Sequence, residues 1–180
     1  MEQNPWITKK INPVYDNPWI KVEHHDVLNP AGNDGVYGKV HFKNRAMAII
    51  PIDENGYTWL IGQYRYTLDE YAWEVPMGGG PLEEDKLDSA KRELKEETGL
   101  TAGKWTEIMK IHTSNSVTDE VGFVYLAEEL IQGDTAFEET EVLKIKKLPF
   151  TEVLEMVMNG GITDGISVVG ILKAARILNL

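Results

Sequence analysis

Three glycines and a proline, Gly78-Gly79-Gly80-Pro81, stand between a short apolar run at residues 73–75 and a stretch with helical periodicity. Glycine brings no side chain to pack and loses more conformational freedom on ordering than any other residue, and proline lacks a backbone donor. The run therefore reads as a loop, entered from a strand and left through a helix. In that helix Asp85 stands at the N-cap, and Leu87, Ala90 and Leu94, spaced by three and four, form the buried stripe. At about 100° per residue, Glu93 and Glu97 lie about 40° apart, and Glu96 falls about 60° to the other side of Glu93. Three carboxylates converge on one flank.

Like charges at these spacings destabilise a bare helix by several tenths of a kcal/mol per pair, so a cation that neutralises them explains the cluster. The plainer alternative is a solvated acidic helix face. Composition narrows the cation. The chain has no cysteine, which excludes disulfides, thiolate nucleophiles and cysteine-based zinc sites, and carboxylate ligands select Mg²⁺ or Mn²⁺. A net charge of −11 excludes nucleic acid as a partner and requires local cations for any anionic substrate. No apolar run approaches the roughly 20 residues that span a bilayer, and the N-terminus lacks a signal-peptide layout, so a cytoplasmic protein with no membrane partner is expected.

The 180 residues correspond to one domain, or one domain plus a small extension. Residues 1–44, rich in aromatics and turn formers, read as a small antiparallel β unit with extended segments at 19–27 and 35–42; Asn4-Pro5-Trp6 is echoed by Asn17-Pro18-Trp19. Residues 45–180 form the second domain. Strands at 46–52 and 57–64, joined by Asp53-Glu54-Asn55-Gly56, read as a hairpin with positive φ at Asn-Gly. Further strands are expected at 105–112, 121–126 and 142–148, then a helix capped by Thr151 and running to 158, and another over 166–178. The interleaved order implies a mixed α/β sandwich. His24, His25, His41 and His112 show no ligand spacing that competes with the glutamates and read as structural or exposed.

Gly78, five residues, Glu84, seven residues, Arg92-Glu93-Leu94, one residue, Glu96-Glu97, one residue and Gly99-Leu100 match every fixed position of the Nudix box. From average residue frequencies, a chance match in a chain this long is on the order of 10⁻⁷. The chain resembles the Nudix hydrolases. The resemblance implies an α/β/α sandwich with a mixed sheet, preceded here by the N-terminal antiparallel β unit. It also implies hydrolysis of a nucleoside diphosphate linked to another moiety, with two or more Mg²⁺ or Mn²⁺ ions in the site. By similarity Glu93 and Glu97 are the principal metal ligands, Glu96 shares a metal, and the carbonyl of Met77 completes the site. Arg92 and Glu84 resemble the pair that orients the ligating carboxylates. Gly78 is carried over with the substrate-facing positions and, like Gly99, serves backbone geometry.

Gln63-Tyr64-Arg65-Tyr66 and Trp73-Glu74-Val75-Pro76 resemble segments of the ADP-ribose and nucleotide-sugar pyrophosphatases. Carried over, Arg65 clamps phosphate and Glu74 lies near the substrate; the alternatives are a surface ion pair and a structural role. The group's small β domain exchanges across a homodimer, and residues 1–44 look like that unit. Tyr15, Trp19 or Tyr37 then either stacks on a base or belongs to the core. The catalytic base in this group comes from a loop glutamate before the last strand, here Glu138, Glu139 or Glu141, with Glu141 favoured; a box glutamate is the alternative. ADP-ribose pyrophosphatases usually carry a proline downstream of the box, whereas this chain has residues 112–120 without one. A broader hydrolase of ADP-ribose, ADP-glucose or GDP-mannose type fits that departure, with Glu120 placed to approach the metal or terminal sugar. Dinucleoside polyphosphate, coenzyme A or oxidised nucleotide hydrolysis remains open, as does a non-catalytic nucleotide-sugar-binding module.

Overall fold

The structure, a computed structural model, describes residues 3–134 and 143–180. It divides into two compact units, Met1–Asn44 with His112–Glu120, and Arg45–Ile111 with Val121–Leu180.

The first unit is an antiparallel sheet of order β1-β2-β3, with β1 at Ile7–Asp16, β2 at Ile20–Leu28 and β3 at Asp34–Phe42. In both Asn-Pro-Trp echoes the asparagine Oδ1 accepts the tryptophan N–H, at 3.0 Å for Asn4 and 2.9 Å for Asn17. The echo is thus a repeated side-chain turn. β1 escapes a sequence reading because Pro13 lies within it. An edge strand tolerates that proline, and the register shifts between Pro13 and Tyr15. Residues 112–120 join this unit through a parallel bridge between Val40 and Thr118.

The second unit holds two sheets, β10-β5-β6 and β7-β4-β9-β8. Their strands are β4 at Asn44–Pro51, β5 at Tyr57–Arg65, β6 at Glu70–Glu74, β7 at Met77–Pro81, β8 at Leu100–Ile111, β9 at Gly122–Gln132 and β10 at Lys144–Pro149. The second sheet is mixed, with β4 parallel and β8 antiparallel to β9. Residues alternate faces along a strand, so β4 feeds two separate cores. Ala48 and Ile50 pack with Phe150 and Val153 of helix α2 (Phe150–Met158) and Ile166 and Ile171 of helix α3 (Gly165–Ile177). Met47 and Ile49 pack with Ala90 and Leu94 of helix α1 (Lys86–Thr98). Helices on both faces of a mixed sheet realise the expected α/β sandwich.

Three local expectations are corrected. The segment 78–80 with Pro81 is not a loop but strand β7, on the edge of the mixed sheet. Close packing requires the missing side chains there: a Cβ on Gly80 would lie 2.8 Å from Met47 Cγ and 2.9 Å from Ser89 Oγ. The turn at 53–56 forms, but β4 and β5 belong to different sheets, so it is a sheet-to-sheet connection and not a hairpin. Only Gly56 takes a positive φ there, 76°. The N-cap of α2 is Pro149, with no side-chain cap bond, in place of Thr151.

Asp53 holds the corner at 53–56. Its Oδ1 accepts from the Asn55 and Tyr57 N–H groups at 3.0 and 2.9 Å, and its Oδ2 lies 2.6 Å from Lys147 Nζ. Burial works against the charge, but Lys147 and the two backbone donors outweigh it and hold the carboxyl below its ordinary value. A lowered carboxyl stabilises the fold above the unfolded value of about 3.9 and ceases to do so as pH falls through the folded value. Asp53→Asn is expected to cost about 1 kcal/mol at neutral pH, discounted for the exposed lysine. In urea unfolding the gap to wild type closes as pH falls below about 4; a gap that persists unchanged in acid refutes the charge-based account.

Candidate functional site

The site is built on α1. Asp85 caps its first turn by accepting from the Leu87 and Asp88 N–H groups at 2.9 and 3.2 Å. Gly99, at φ 72°, ends it by donating to Lys95 O. Because Ala90 and Leu94 are fully buried, the helix is pinned with its glutamate flank turned toward the protein. Glu93 and Glu97 are only 8% and 3% exposed, which excludes a solvated acidic face for these two. Glu96 is half-buried.

Buried carboxylates require partners. Arg92 Nη1 donates to Glu93 Oε1 at 2.7 Å and to Glu96 Oε2 at 2.9 Å, and its Nη2 donates to Gly79 O at 2.8 Å. One guanidinium therefore ties two carboxylates of α1 to the backbone of β7. Burial works against the Arg92 charge, but Glu93 and Glu96 overcome it and raise its pKa. The Met77 N–H donates to Glu97 Oε2 at 2.9 Å, and a Cβ at Gly78 would run into the Glu93 carboxylate. The glycine strand is thus a bare backbone surface against which both buried glutamates are seated.

Glu84 is 3.7 Å from Arg92 Nη2 and accepts a closer bond, 2.6 Å, from the fully buried Ser89 hydroxyl. Ser89 was missed in the sequence, where its only signal is a hydroxyl residue beside Ala90 in the buried stripe. Arg65 forks onto Glu74, with Nε donating to Oε1 at 2.8 Å and Nη2 to Oε2. Glu74 is 3% exposed. The bond to Glu74 raises the Arg65 pKa against the cost of burial, and the charges of Asp164 and Glu97 add to it. Asp164, also missed, is the N-cap of α3. It accepts from the Ser167 N–H at 2.8 Å, while Ser167 Oγ accepts from the Val75 N–H at 3.1 Å, joining the end of β6 to the start of α3. A cavity of about 490 Å³ beside α1 is lined by Lys91, Arg92, Lys95, Glu96, Thr101 and Trp105.

Arg92, Glu93, Glu96, Glu97, Met77 and Gly78 are brought together, and Arg65 with Glu74 lies within the field of Glu97. Glu138, Glu139 and Glu141 fall outside the described residues. Glu120 accepts from the Thr113 hydroxyl in the first unit. There Tyr37 donates to Ser116 O at 2.6 Å and packs edge-on against Trp6, whereas Tyr15 and Trp19 are exposed. The histidines include a pair that sequence spacing does not show together. Strand register, invisible as sequence spacing, brings His25 and His41 onto Glu23, and among the described residues these three offer ligand atoms within 4.8 Å of one another.

Residues 42–162 match the NUDIX domain model, and the chain belongs to that family. Over 130 residues it is 33% identical to an ADP-ribose pyrophosphatase of Mycobacterium tuberculosis, covering 71% of this chain and 63% of that protein. Over 121 residues it is 31% identical to an ADP-ribose pyrophosphatase of Bacillus subtilis, covering 66% of this chain and 65% of that one. The matched stretch spans just under two thirds of the length of these relatives. A crystal structure of an ADP compounds hydrolase superposes with a TM-score of 0.88 at 20% identity, covering 99% of this chain and 97% of that one, and shares its fold.

Gly78→Ala tests the seating of Glu93 on β7. The added methyl is expected to destabilise the protein by about 1–3 kcal/mol in urea unfolding. Mn²⁺ binding, followed by electron paramagnetic resonance, should weaken in parallel. Wild-type stability together with wild-type Mn²⁺ affinity would show that the close approach is not required.

Proposed function

We propose that the protein is a metal-dependent pyrophosphatase of nucleoside diphosphate sugars of the ADP-ribose, ADP-glucose or GDP-mannose type, releasing a nucleoside monophosphate and a sugar phosphate. The observation that carries this reading is the burial of Glu93 and Glu97 against β7, with Arg92 on Glu93 and the Met77 N–H on Glu97, in a chain of the NUDIX family. Members of that family generally use divalent metal ions. The donor set suits such an ion, because hard carboxylate oxygens lie on one flank of one helix, over a glycine that leaves them room. Glu93, Glu96 and Glu97, with the carbonyl of Met77, would hold Mg²⁺ or Mn²⁺. Bound there, the ion supplies charge neutralisation at the diphosphate and lowers the pKa of the attacking water.

The residues of the chain have separate tasks. Arg92 holds Glu93 and Glu96 in place against their mutual repulsion. Arg65, oriented by Glu74 through Nε and Nη2, offers its remaining Nη1 and Nη2 donors to the diphosphate. Lys91 and Lys95 of α1 add positive charge at the cavity they line, offsetting a protein that carries −11 overall. As water attacks phosphorus, a new P–O bond forms and the bridging P–O bond breaks. The water proton passes to Glu141 or Glu139 before β10, or to a glutamate of α1.

Metal-dependent release of AMP or GMP from ADP-ribose, ADP-glucose or GDP-mannose, measured by chromatography with and without chelator, tests the class. Release confined to diadenosine polyphosphates or coenzyme A would reassign the substrate, and binding of nucleotide sugars without release would make the chain a binding module. Glu97→Gln is expected to lower turnover by orders of magnitude while circular dichroism stays unchanged. Near-wild-type turnover in that variant would remove Glu97 from the ligand set.

The reading extends to a homodimer. Ile7, Ile11, Val14, Tyr15 and Trp19 of the first unit are between 51% and 66% exposed, an apolar surface that a partner copy would cover. Light scattering at micromolar concentration is expected to give twice the 20.3 kDa chain mass, and a monomer mass would count against it.

A further inference from the structure

The first unit carries a second constellation of ligand-type side chains, none of it on α1. Glu23 and His25 are two apart on β2 and share a face of the sheet. The β2–β3 register, with Lys21 opposite His41 and Glu23 opposite Lys39, sets His41 diagonally beside Glu23 on that face. Both imidazoles turn Nε2 toward the same carboxylate oxygen: His25 Nε2 lies 2.9 Å and His41 Nε2 2.8 Å from Glu23 Oε2. The other oxygen, Oε1, is engaged by Lys21 Nζ at 2.5 Å. The Glu23 side chain is 8% exposed, that of His25 14% and that of His41 30%.

His41 is the informative member. Its Nδ1 is 2.6 Å from Asp119 Oδ2, so its two ring nitrogens face two different carboxylates. Ionised carboxylates only accept, so both contacts are hydrogen bonds only when the ring is a doubly protonated imidazolium. The alternative occupant of the Nε2 side is a metal ion. Nδ1–H then donates to Asp119, which fixes the tautomer and leaves the Nε2 lone pair for the ion, the arrangement of a carboxylate–histidine–metal triad. Asp119 is itself anchored, accepting from the Phe42 N–H at 3.0 Å, with Lys39 Nζ 3.4 Å away.

We infer that His25, His41 and Glu23 form a binding site for one nitrogen-seeking divalent ion of the zinc class, with Asp119 as the positioning residue for His41. Two imidazole nitrogens and one carboxylate oxygen, with water in the fourth position, match the donor set of an open tetrahedral zinc site. They differ in kind from the all-oxygen flank of α1, which suits Mg²⁺ or Mn²⁺. An ion held there would tie β2 and β3 together and, through Asp119, hold residues 112–120 to the sheet of the first unit.

Equilibrium dialysis of the full chain against Zn²⁺ with Mg²⁺ in excess tests this without reference to turnover. Wild type is expected to retain one Zn²⁺ that Glu97→Gln also retains and that His25→Ala and His41→Ala each lose. Co²⁺ in its place should give visible absorption bands of imidazole ligation. Asp119→Asn, which leaves all three ligands present, should weaken Zn²⁺ by about 10–100-fold and covers the case in which a histidine variant fails to fold by circular dichroism. Failure of wild type to retain Zn²⁺ overturns the inference. So does loss of the ion in Glu97→Gln, or unchanged affinity in His41→Ala or Asp119→Asn.

Discussion

The seating of the Glu93 carboxylate on the bare backbone of Gly78 is the contact on which the rest of the site depends. A carboxylate on a helix normally points to water, because burial costs several kcal/mol unless charge and hydrogen bonds are returned to it. Here the helix is pinned from behind by Ala90 and Leu94, and from in front by a strand thin enough to admit two acidic side chains. The Met77 N–H reaches Glu97, and Arg92 reaches Glu93, Glu96 and Gly79 O. Any side chain at position 78 would occupy the space the carboxylate fills.

The electrostatics follow from that packing. Three glutamates on one flank repel one another, and Arg92 moderates the repulsion without abolishing it. Arg65 is restrained in the same way: its Nε and Nη2 are taken by Glu74, and the charges of Asp164 and Glu97 help to raise its pKa. In a chain of net charge −11, both guanidiniums are thus held in place by carboxylates.

Much of the fold was legible because periodicity and capping are local. Asp85, Ala90, Leu94 and Gly99 fix both ends and the buried face of α1 within one stretch of chain, and the apolar runs at β4 and β9 mark strands buried on both faces. What was illegible depends on distant partners. Asp53-Glu54-Asn55-Gly56 has hairpin chemistry, yet β5 pairs with β10 and β6 while β4 pairs with β9 and β7. The glycine run looks like a loop until Met47, Ser89 and Glu93 are seen pressing against it. β1 is hidden by Pro13, which an edge position permits.

The family is legible from spacing along one helix and one adjoining strand, which is enough to specify the box. The same spacing sets Glu93, Glu96 and Glu97 on one flank of α1, because helix geometry alone dictates that placement. Packing in three dimensions is what buries Glu93 and Glu97, seats Glu84 on Ser89, and brings Asp164 into the neighbourhood of Arg65. Only register brought His25, His41 and Glu23 together. The physical reason is one of range: helix geometry fixes which neighbours meet within four residues, whereas strand pairing unites residues far apart in the chain, and nothing in their spacing announces it.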